Sequence, residues 1–255
     1  MTNVCRNGET SMNNTIQELY RRKSVRVFTG EPISKEKKEL ILTAATQAPT
    51  AGNQQLYTII DVTDKKLKEK LAVTCDNQPF IAEADMVLIF VADCRKWYEG
   101  FKDVGAEPRN PGVGDLMLAV TDTAIAAQNA VVAAESMGVG SCYIGDIMEN
   151  AEIHKEILHL PEYVFPAVML VFGYPTRQQM YREKPERVNL SHIVHENAYR
   201  TMDKEERQEM WQKKAGVLSY EEWMQRFCER KYNSDFSKEM SRSVGVYMKE
   251  FLQES

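Results

Sequence analysis

This chain of 255 residues has no excess of positive charge, and its few histidines and cysteines follow no motif spacing. Its 32 lysine and arginine residues are outnumbered by 37 acidic residues, which gives a formal net charge of −5. Nucleic-acid-binding proteins typically have a generally basic surface. An excess of acidic residues does not provide one, so we expect no nucleic-acid partner. The four histidines and five cysteines occur without HExxH or CxxC spacing. They therefore predict neither a metal site nor a disulfide framework.

Long hydrophobic runs are also rare. The first residues, MTNVCRNGETSMNN, contain no apolar stretch of the kind found in a secretory signal, and we expect a cytoplasmic protein. The longest apolar segment, residues 116–137, carries Asp122, Gln128, Asn129 and Glu135, which would be costly in hydrocarbon. It predicts a buried helix rather than a membrane span. Its many alanines allow another helix to approach closely, which suits the centre of a fold or a dimer interface.

Glycine and proline divide the first 199 residues into helical and extended segments. A first helix is expected over residues 15–23. A second begins after Ser34, which can cap it, has Glu36 in its first turn and ends near Gln47. Apolar runs predict strands at residues 56–62, 86–92 and 166–173, and the second and third are apolar enough for burial on both faces.

Beyond residue 199 the sequence changes to charged helical patterns punctuated by aromatic residues. We therefore divide the chain into a core, residues 1–199, and a helical C-terminal extension, residues 200–255. Six aromatic residues have enough apolar area to anchor the extension on the core or on a second subunit. They are Trp211, Tyr220, Trp223, Phe227, Tyr232 and Phe236.

The strongest chemical signal is the string RRKSVR near the N-terminus. Arg21, Arg22, Lys23 and Arg26 place four cations around the hydroxyl of Ser24, with no acid between them. Arginine can grip phosphate oxygens through two parallel hydrogen bonds, so the segment is suited to a phosphate. A solvated basic helix end has the same composition, because cations favour helix C-termini, and by composition alone that alternative is the commoner.

Further motifs resemble those of the nitroreductase family and occur in the family's order along the chain. They are FTGEPIS at residues 28–34, APTAGNQQ at 48–55, DNQPFIA at 76–82, DTAIAAQN at 122–129, AAESMGVG at 133–140, YIG at 143–145, GYP at 173–175 and KPER at 184–187. Together with the basic segment they cover roughly residues 19–199. The string IVHENAY at residues 193–199 and the helical tail resemble the larger NADPH-linked group of oxygen-insensitive nitroreductases and flavin reductase P.

The resemblance implies an α+β fold, a three-layer α/β/α sandwich with a helical C-terminal extension, and a homodimer that binds FMN. Arg22, Ser24 and Arg26 are implied to hold the FMN phosphate together with Lys184 or Arg187, which return from the far end of the core. Converging cations are physically reasonable for a partly desolvated phosphate.

Three other segments are implied to contact the flavin ring system. The contacts are those of Asn77 and Gln78 with the pyrimidine edge, of Tyr143, Ile144 and Gly145 with the central ring, and of Thr50 and Gly52 across the dimer interface. Two kinds of departure from the family group occur here. Thr50 and Gly52 stand where serines are common, and Asp146 follows Gly145 where a further glycine is usual.

The implied activity is that of an oxidoreductase that takes hydride from NAD(P)H and passes it to a nitroaromatic, a quinone or free flavin by a ping-pong mechanism. FMN carries that chemistry, so no catalytic side chain is predicted. Arg230 matches a tail arginine that reads the extra phosphate of NADPH, although a solvated helix face accounts for it equally well. Two alternatives remain: an FMN-binding carrier or sensor with little turnover, and a specialised family member such as a dehalogenase.

Overall fold

The computed structural model describes residues 12–252, so Cys5 and the rest of residues 1–11 lie outside the described residues. The described chain forms two compact units. The first consists of residues 12–182 and 240–252, and the second of residues 183–239. The domain boundary expected between residues 199 and 200 stays a prediction.

A four-stranded antiparallel sheet lies at the centre of the first unit. Its strands are β1 (Tyr57–Asp61), β2 (Met86–Asp93), β3 (Gly140–Ile144) and β4 (Val164–Gly173), and their order across the sheet is β1-β2-β4-β3. Neighbouring strands are antiparallel throughout. The strands predicted at residues 56–62, 86–92 and 166–173 are confirmed as β1, β2 and β4, whereas β3 has no counterpart among the predicted strands.

The helices of the first unit surround this sheet. They are α1 (Asn14–Arg21), α2 (Lys35–Thr46), α3 (Lys65–Thr74), α4 (Phe80–Glu83), α5 (Arg95–Asp103), α6 (Val113–Ser136), α7 (Ala151–Ile157), α8 (Arg177–Tyr181) and the last part of α11 (Asp235–Phe251). The second unit contains α9 (Lys204–Ala215), α10 (Tyr220–Lys231) and the start of α11. Short 3-10 turns occupy Ala51–Asn53, Gly145–Met148 and Leu190–His192.

Strand β2 shows why the first unit has three layers. All its residues are buried, and successive side chains of a strand point to opposite faces of the sheet. Leu88 and Phe90 pack in a cluster with residues of α2 and α6, whereas Ile89 and Val91 pack in a second cluster with residues of α3, α4, α7 and α11. Helices therefore cover both faces, and the predicted three-layer α+β sandwich is confirmed.

Helix α2 begins and ends where the sequence predicts. The hydroxyl of Ser34 accepts a hydrogen bond from the Lys37 backbone N–H at 3.3 Å. This bond satisfies one of the backbone donors that the first turn of a helix leaves without a partner. The first predicted helix is also confirmed as α1, where the side chain of Asn13 accepts from the Ile16 N–H at 3.0 Å.

Helix α6 is the long apolar helix predicted from residues 116–137. By length and composition alone it is long and apolar enough to cross a membrane. It packs on α2 and on the sheet, and Ala126 and Ala130 are 0% exposed within the chain. The small residues at these two positions therefore pack inside the core of one chain and do not form a dimer interface. Gly138, with φ +74°, follows the helix in the left-handed conformation expected of it.

The C-terminal extension is helical, as the sequence predicts, but its buried aromatic residues are different ones. Tyr247 and Phe251 of α11 are 0% and 3% exposed and join the core cluster of the first unit. None of the six predicted anchors is fully buried within the chain, and Tyr232 is 76% exposed. The local sequence does not predict which aromatic residues are buried, because the burial of Tyr247 and Phe251 depends on contacts with distant residues. Tyr247 packs on Phe165, and Phe251 packs on Tyr163.

Candidate active site

The basic segment predicted to bind phosphate leaves α1 after Arg21 and runs beside the start of β3, where Ser24 forms an isolated β-bridge with Ser141. The backbone N–H of Val25 donates to the Ser141 carbonyl at 2.9 Å. Added Cβ atoms at Gly140 and Gly173 would lie 2.6 Å from side-chain carbons of Val25 and Phe28, respectively. Glycine at both positions therefore lets the segment approach the sheet closely.

Arg22 is the most unusual side chain of this segment. Its guanidinium carbon lies 5.4 Å from the centre of the Tyr143 ring, within range of a cation–π contact. Its Nε and Nη2 atoms are buried and have no hydrogen-bond partner among the described residues. Buried charged donors without acceptors are costly, and an anionic ligand would relieve that cost. This arrangement therefore fits a phosphate oxygen.

Two titratable groups near Arg22 reflect the low polarity of its surroundings. Burial raises the pKa of Tyr143 to about 12, while the positive charge of Arg22 acts in the opposite direction. Burial also raises the pKa of the Glu135 carboxyl, and Arg22 is the foremost group that opposes this rise. The hydroxyl of Tyr143 donates to the Gln128 side-chain oxygen at 3.0 Å.

The other cations of the segment are held in different ways. Lys23 donates to the Met180 carbonyl at 2.7 Å and also to the Arg182 carbonyl, so its ammonium fastens the end of α8. Arg26 is exposed, and its guanidinium carbon lies 5.9 Å from the centre of the Phe80 ring. Arg22 and Arg26 thus lie against aromatic rings, whereas Lys23 is held by backbone carbonyls.

Gln78 links the loop after α3 to the end of β3. Its side-chain nitrogen donates to the Cys75 carbonyl at 2.8 Å and to the Asp146 carboxylate at 3.0 Å. Asn77 is exposed and has φ +51°, a left-handed conformation that asparagine tolerates. Ile144 is 2% exposed, and Gly145 begins the 3-10 turn directly after β3. The predicted ring-contacting segments 77–78 and 143–145 thus meet at the end of β3.

A buried carboxylate fixes the loop that carries Thr50 and Gly52. Asp122 of α6 is 3% exposed and accepts hydrogen bonds from the Thr50 hydroxyl, from the Ala51 N–H at 3.1 Å and from the Leu56 N–H at 3.2 Å. Gly52 is exposed, with φ +56°. Among the described residues, Thr50 and Gly52 make no hydrogen bond or ring contact with the group around Arg22 and Gln78.

An aromatic-lined cavity of about 270 Å³ adjoins this loop. Trp97, Tyr98 and Phe101 of α5 line it together with Leu118 of α6. The indole N–H of Trp97 donates to the Gln54 carbonyl at 2.8 Å, which ties the cavity wall to the loop.

Comparison with known proteins identifies the family. The profile of the Nitroreductase family matches residues 19–174, more than half of the chain. The chain belongs to the nitroreductase family. The matched residues include the basic segment, the Thr50 loop, Gln78 and the whole of β3, so the family assignment and the geometry described above concern the same part of the molecule.

Relatives of this nitroreductase extend the match beyond the core. An FMN reductase [NAD(P)H] of Bacillus subtilis is 31% identical over 239 residues, which cover 92% of this chain and 91% of the relative. An oxygen-insensitive NADPH nitroreductase of Salmonella typhimurium is 36% identical over 193 residues, covering 75% of this chain and 77% of the relative. The solved structure of the NADPH:FMN oxidoreductase from Vibrio harveyi complexed with NAD+ has a TM-score of 0.78 and 27% identity, and the match covers 92% of this chain and 98% of that one.

Three predicted site residues of this nitroreductase lie in the second unit. Lys184 is half-buried, and Arg187 lines a cavity of about 580 Å³ with His192, Lys213 and Lys214. Arg230 is exposed on α10, and its guanidinium carbon lies 5.2 Å from the centre of the Phe227 ring. In the described part of the chain, no three His, Cys, Asp or Glu side chains are grouped as metal ligands.

Two residues of the site were not singled out from the sequence. Arg182 donates from its guanidinium to the Ser24 carbonyl at 2.6 Å, which brings a further cation to the basic segment. The sequence presents Asp122 as a charge that is costly in a membrane and as the first residue of the DTAIAAQN motif, with no predicted role of its own. An acid inside an apolar helix is nonetheless a usable signal, because a buried carboxylate requires hydrogen-bond donors and here the donors belong to a functional loop.

We expect Asp122→Asn to destabilise this nitroreductase by about 1–3 kcal/mol, because an amide N–H₂ would face donors that the carboxylate now accepts from. Urea unfolding at equilibrium measures the change. Asp103→Asn on α5 is the matched control, since Asp103 is exposed, and it should change the free energy of unfolding by less than about 0.5 kcal/mol. Equal stability of both variants would mean that Asp122 does not hold the loop.

Proposed function

We propose that this nitroreductase is an FMN-dependent oxidoreductase that takes hydride from NAD(P)H, with a preference for NADPH, and reduces nitroaromatics, quinones or free flavin by a ping-pong mechanism. The observation that carries the proposal is the side chain of Arg22, whose buried Nε and Nη2 atoms have no acceptor among the described residues. The names of the relatives, FMN reductase and NADPH nitroreductase, support the same chemistry.

The residues around Arg22 fit the phosphate of FMN. Arg22 and Arg26 supply charged donors, and Ser24 supplies a hydroxyl. The assignment of Lys184 or Arg187 to the same phosphate stays a prediction from the sequence. A phosphate monoester carries about −1.5 to −2 charges near neutral pH, so several cations are required to hold it away from water. Removal of one charged donor should weaken binding more than removal of a neutral one.

The remaining predicted residues would position the ring system. Asn77 and Gln78 offer amide groups to its pyrimidine edge, and the backbone at Tyr143, Ile144 and Gly145 passes beside its centre. When bound, FMN supplies the two-electron chemistry that links the nicotinamide to the acceptor. The chain's own task is to hold donor and acceptor in turn near the same face, which needs no nucleophilic side chain.

We further propose that the active protein is a homodimer, in which Thr50 and Gly52 of one protomer approach the FMN held by the other. Among the described residues the hydrogen bonds of this loop to Asp122 connect it to α6 and not to the group around Arg22, which agrees with a role in the second site. The aromatic cavity beside the loop is suited to a flat acceptor such as a quinone or a nitroaromatic. Arg230 is exposed and available to the extra phosphate of NADPH. The cytoplasmic location expected from the sequence stays a prediction.

Absorbance spectra of the purified protein, followed by anaerobic addition of NADPH or NADH, test the proposal. We expect a bound-flavin spectrum that is bleached by both donors and more rapidly by NADPH. Sedimentation velocity recorded in the flavin absorbance band should give the mass of two chains. A colourless protein that FMN cannot reconstitute would contradict the proposal, and a coloured protein that neither donor bleaches would indicate a carrier or sensor.

A further inference from the structure

The side-chain amide of Gln78 has only one possible orientation. Its two hydrogen-bond partners are the Cys75 carbonyl, at 2.8 Å, and the Asp146 carboxylate, at 3.0 Å. A carbonyl and a carboxylate accept hydrogen bonds and donate none. The group that faces them must therefore be the NH₂ of the amide, and both of its hydrogens are used.

Both acceptors belong to well-fixed parts of the first unit. Cys75 is 0% exposed, and its N–H donates to the Leu71 carbonyl at 2.9 Å at the end of α3. Asp146 lies in the 3-10 turn after β3, where its carbonyl accepts from the Glu149 N–H at 3.0 Å. The backbone of Gln78 is held as well, since its N–H donates to the Ala72 carbonyl at 2.8 Å. Two hydrogen bonds thus orient the side-chain amide, and a third holds the backbone that carries it.

The amide oxygen of Gln78 is left as an acceptor. No donor in the described part of the chain reaches it, and Gln78 is partly exposed, so a ligand or water can. We propose that Asp146 is a positioning residue that turns the Gln78 amide so that its oxygen, and not its NH₂, faces the ligand. The position then recognises an N–H donor, and the flavin ring system offers one, the imide N–H of its pyrimidine ring. This inference rests on the proposed function.

The chain offers variants that separate this role from a general effect of charge. Asp146→Ala removes the acceptor and frees the amide to rotate, whereas Asp146→Asn keeps an acceptor oxygen at the same distance from the backbone. Glu83→Ala is the matched control, because Glu83 is an exposed acid on α4, close to Gln78 in sequence. Gln78→Ala removes the amide through which Asp146 is proposed to act.

Titration of the apoprotein with FMN, followed by quenching of flavin fluorescence, measures the effect. A neutral hydrogen bond contributes about 0.5–1.5 kcal/mol, so we expect Asp146→Ala to weaken FMN binding by roughly twofold to tenfold. Asp146→Asn and Glu83→Ala should stay within about twofold of the wild type. In a Gln78→Ala background, Asp146→Ala should have no further effect, because the two residues act as one unit. Equal losses in both backgrounds would overturn the proposal.

A modified flavin tests which atom is recognised. In 3-methyl-FMN a methyl group replaces the imide hydrogen, so the wild type should prefer FMN strongly, and Gln78→Ala should lose part of that preference. An unchanged preference in Gln78→Ala would overturn the assignment of the imide N–H.

The side-chain amide signals of Gln78 in the apoprotein provide a measurement that needs no flavin. Two hydrogen-bonded amide protons should exchange slowly with solvent in the wild type and rapidly in Asp146→Ala. Rapid exchange in the wild type would overturn the positioning role. A wild type that binds no FMN at all would reject the proposed function and the imide assignment, and the exchange measurement would still decide whether Asp146 holds Gln78.

Discussion

Arg22→Ala is expected to weaken FMN binding by roughly tenfold to a hundredfold, because hydrogen bonds from a charged donor contribute about 1.5–3 kcal/mol. The structure adds a second expectation that a purely structural arginine would not share. Since Nε and Nη2 of Arg22 have no partner among the described residues, the apoprotein should lose little when they are removed. The lost cation–π contact with the partly buried Tyr143 ring accounts for about 2 kcal/mol of unfolding free energy at most.

Arg21→Ala is the control for this prediction. Arg21 carries the same charge and is exposed at the end of α1, and its side chain donates to the Gln17 carbonyl at 3.4 Å. Affinities come from equilibrium titration of the apoproteins, and stabilities come from urea unfolding without flavin. Equal FMN affinities of the two variants would remove Arg22 from the anion site. A loss of several kcal/mol in the apoprotein would show that Arg22 supports the fold instead.

Tyr247→Ala should destabilise the protein by about 3–5 kcal/mol, the range found when a large buried aromatic side chain is truncated. Tyr247 is 0% exposed, its ring lies 5.1 Å from that of Phe165 at 79°, and its hydroxyl donates to the Ala151 carbonyl at 3.4 Å. The substitution removes the ring that fastens α11 to the core of the first unit. Chemical unfolding at equilibrium measures the loss.

Two further variants bracket this prediction. Tyr247→Phe keeps the ring and removes only the hydroxyl, so it should cost no more than about 1.5 kcal/mol. Tyr232→Ala removes an aromatic residue that is 76% exposed, and a change of less than about 0.5 kcal/mol is expected. A loss below about 1 kcal/mol for Tyr247→Ala would mean that α11 contributes little to the stability of the core.

Helix caps and apolar strands could be predicted because their causes are local. Ser34 caps α2 through a residue three positions away, and β2 consists almost entirely of apolar residues. Strand β3 escaped prediction because it is a short edge strand whose sequence, GSCYI, contains small and polar residues. Its assignment depends on pairing with β4, in which Cys142 lies opposite Val171. Such long-range pairing leaves little trace in the sequence of the strand itself.

Contacts between distant segments also decide the roles of single side chains at the predicted phosphate site, and the local sequence does not predict them. Composition identified four cations and a hydroxyl in the basic segment but ranked the cations equally. In the structure Lys23 donates to the carbonyls of Met180 and Arg182, more than 150 residues away. By contrast, Nε and Nη2 of Arg22 have no acceptor among the described residues. Arg182 joins the segment from the same distant part of the chain.

The sequence by itself determined the residue types of the candidate site and the family to which the chain belongs, because both depend on the order of motifs along the chain. The tertiary structure decided that Arg22 keeps donors without an acceptor among the described residues, which way the Gln78 amide faces and that Asp122 holds the Thr50 loop. Each of these depends on a partner brought close by folding. A buried charge or amide takes its role from the donors and acceptors around it, and these come from segments far apart in the sequence.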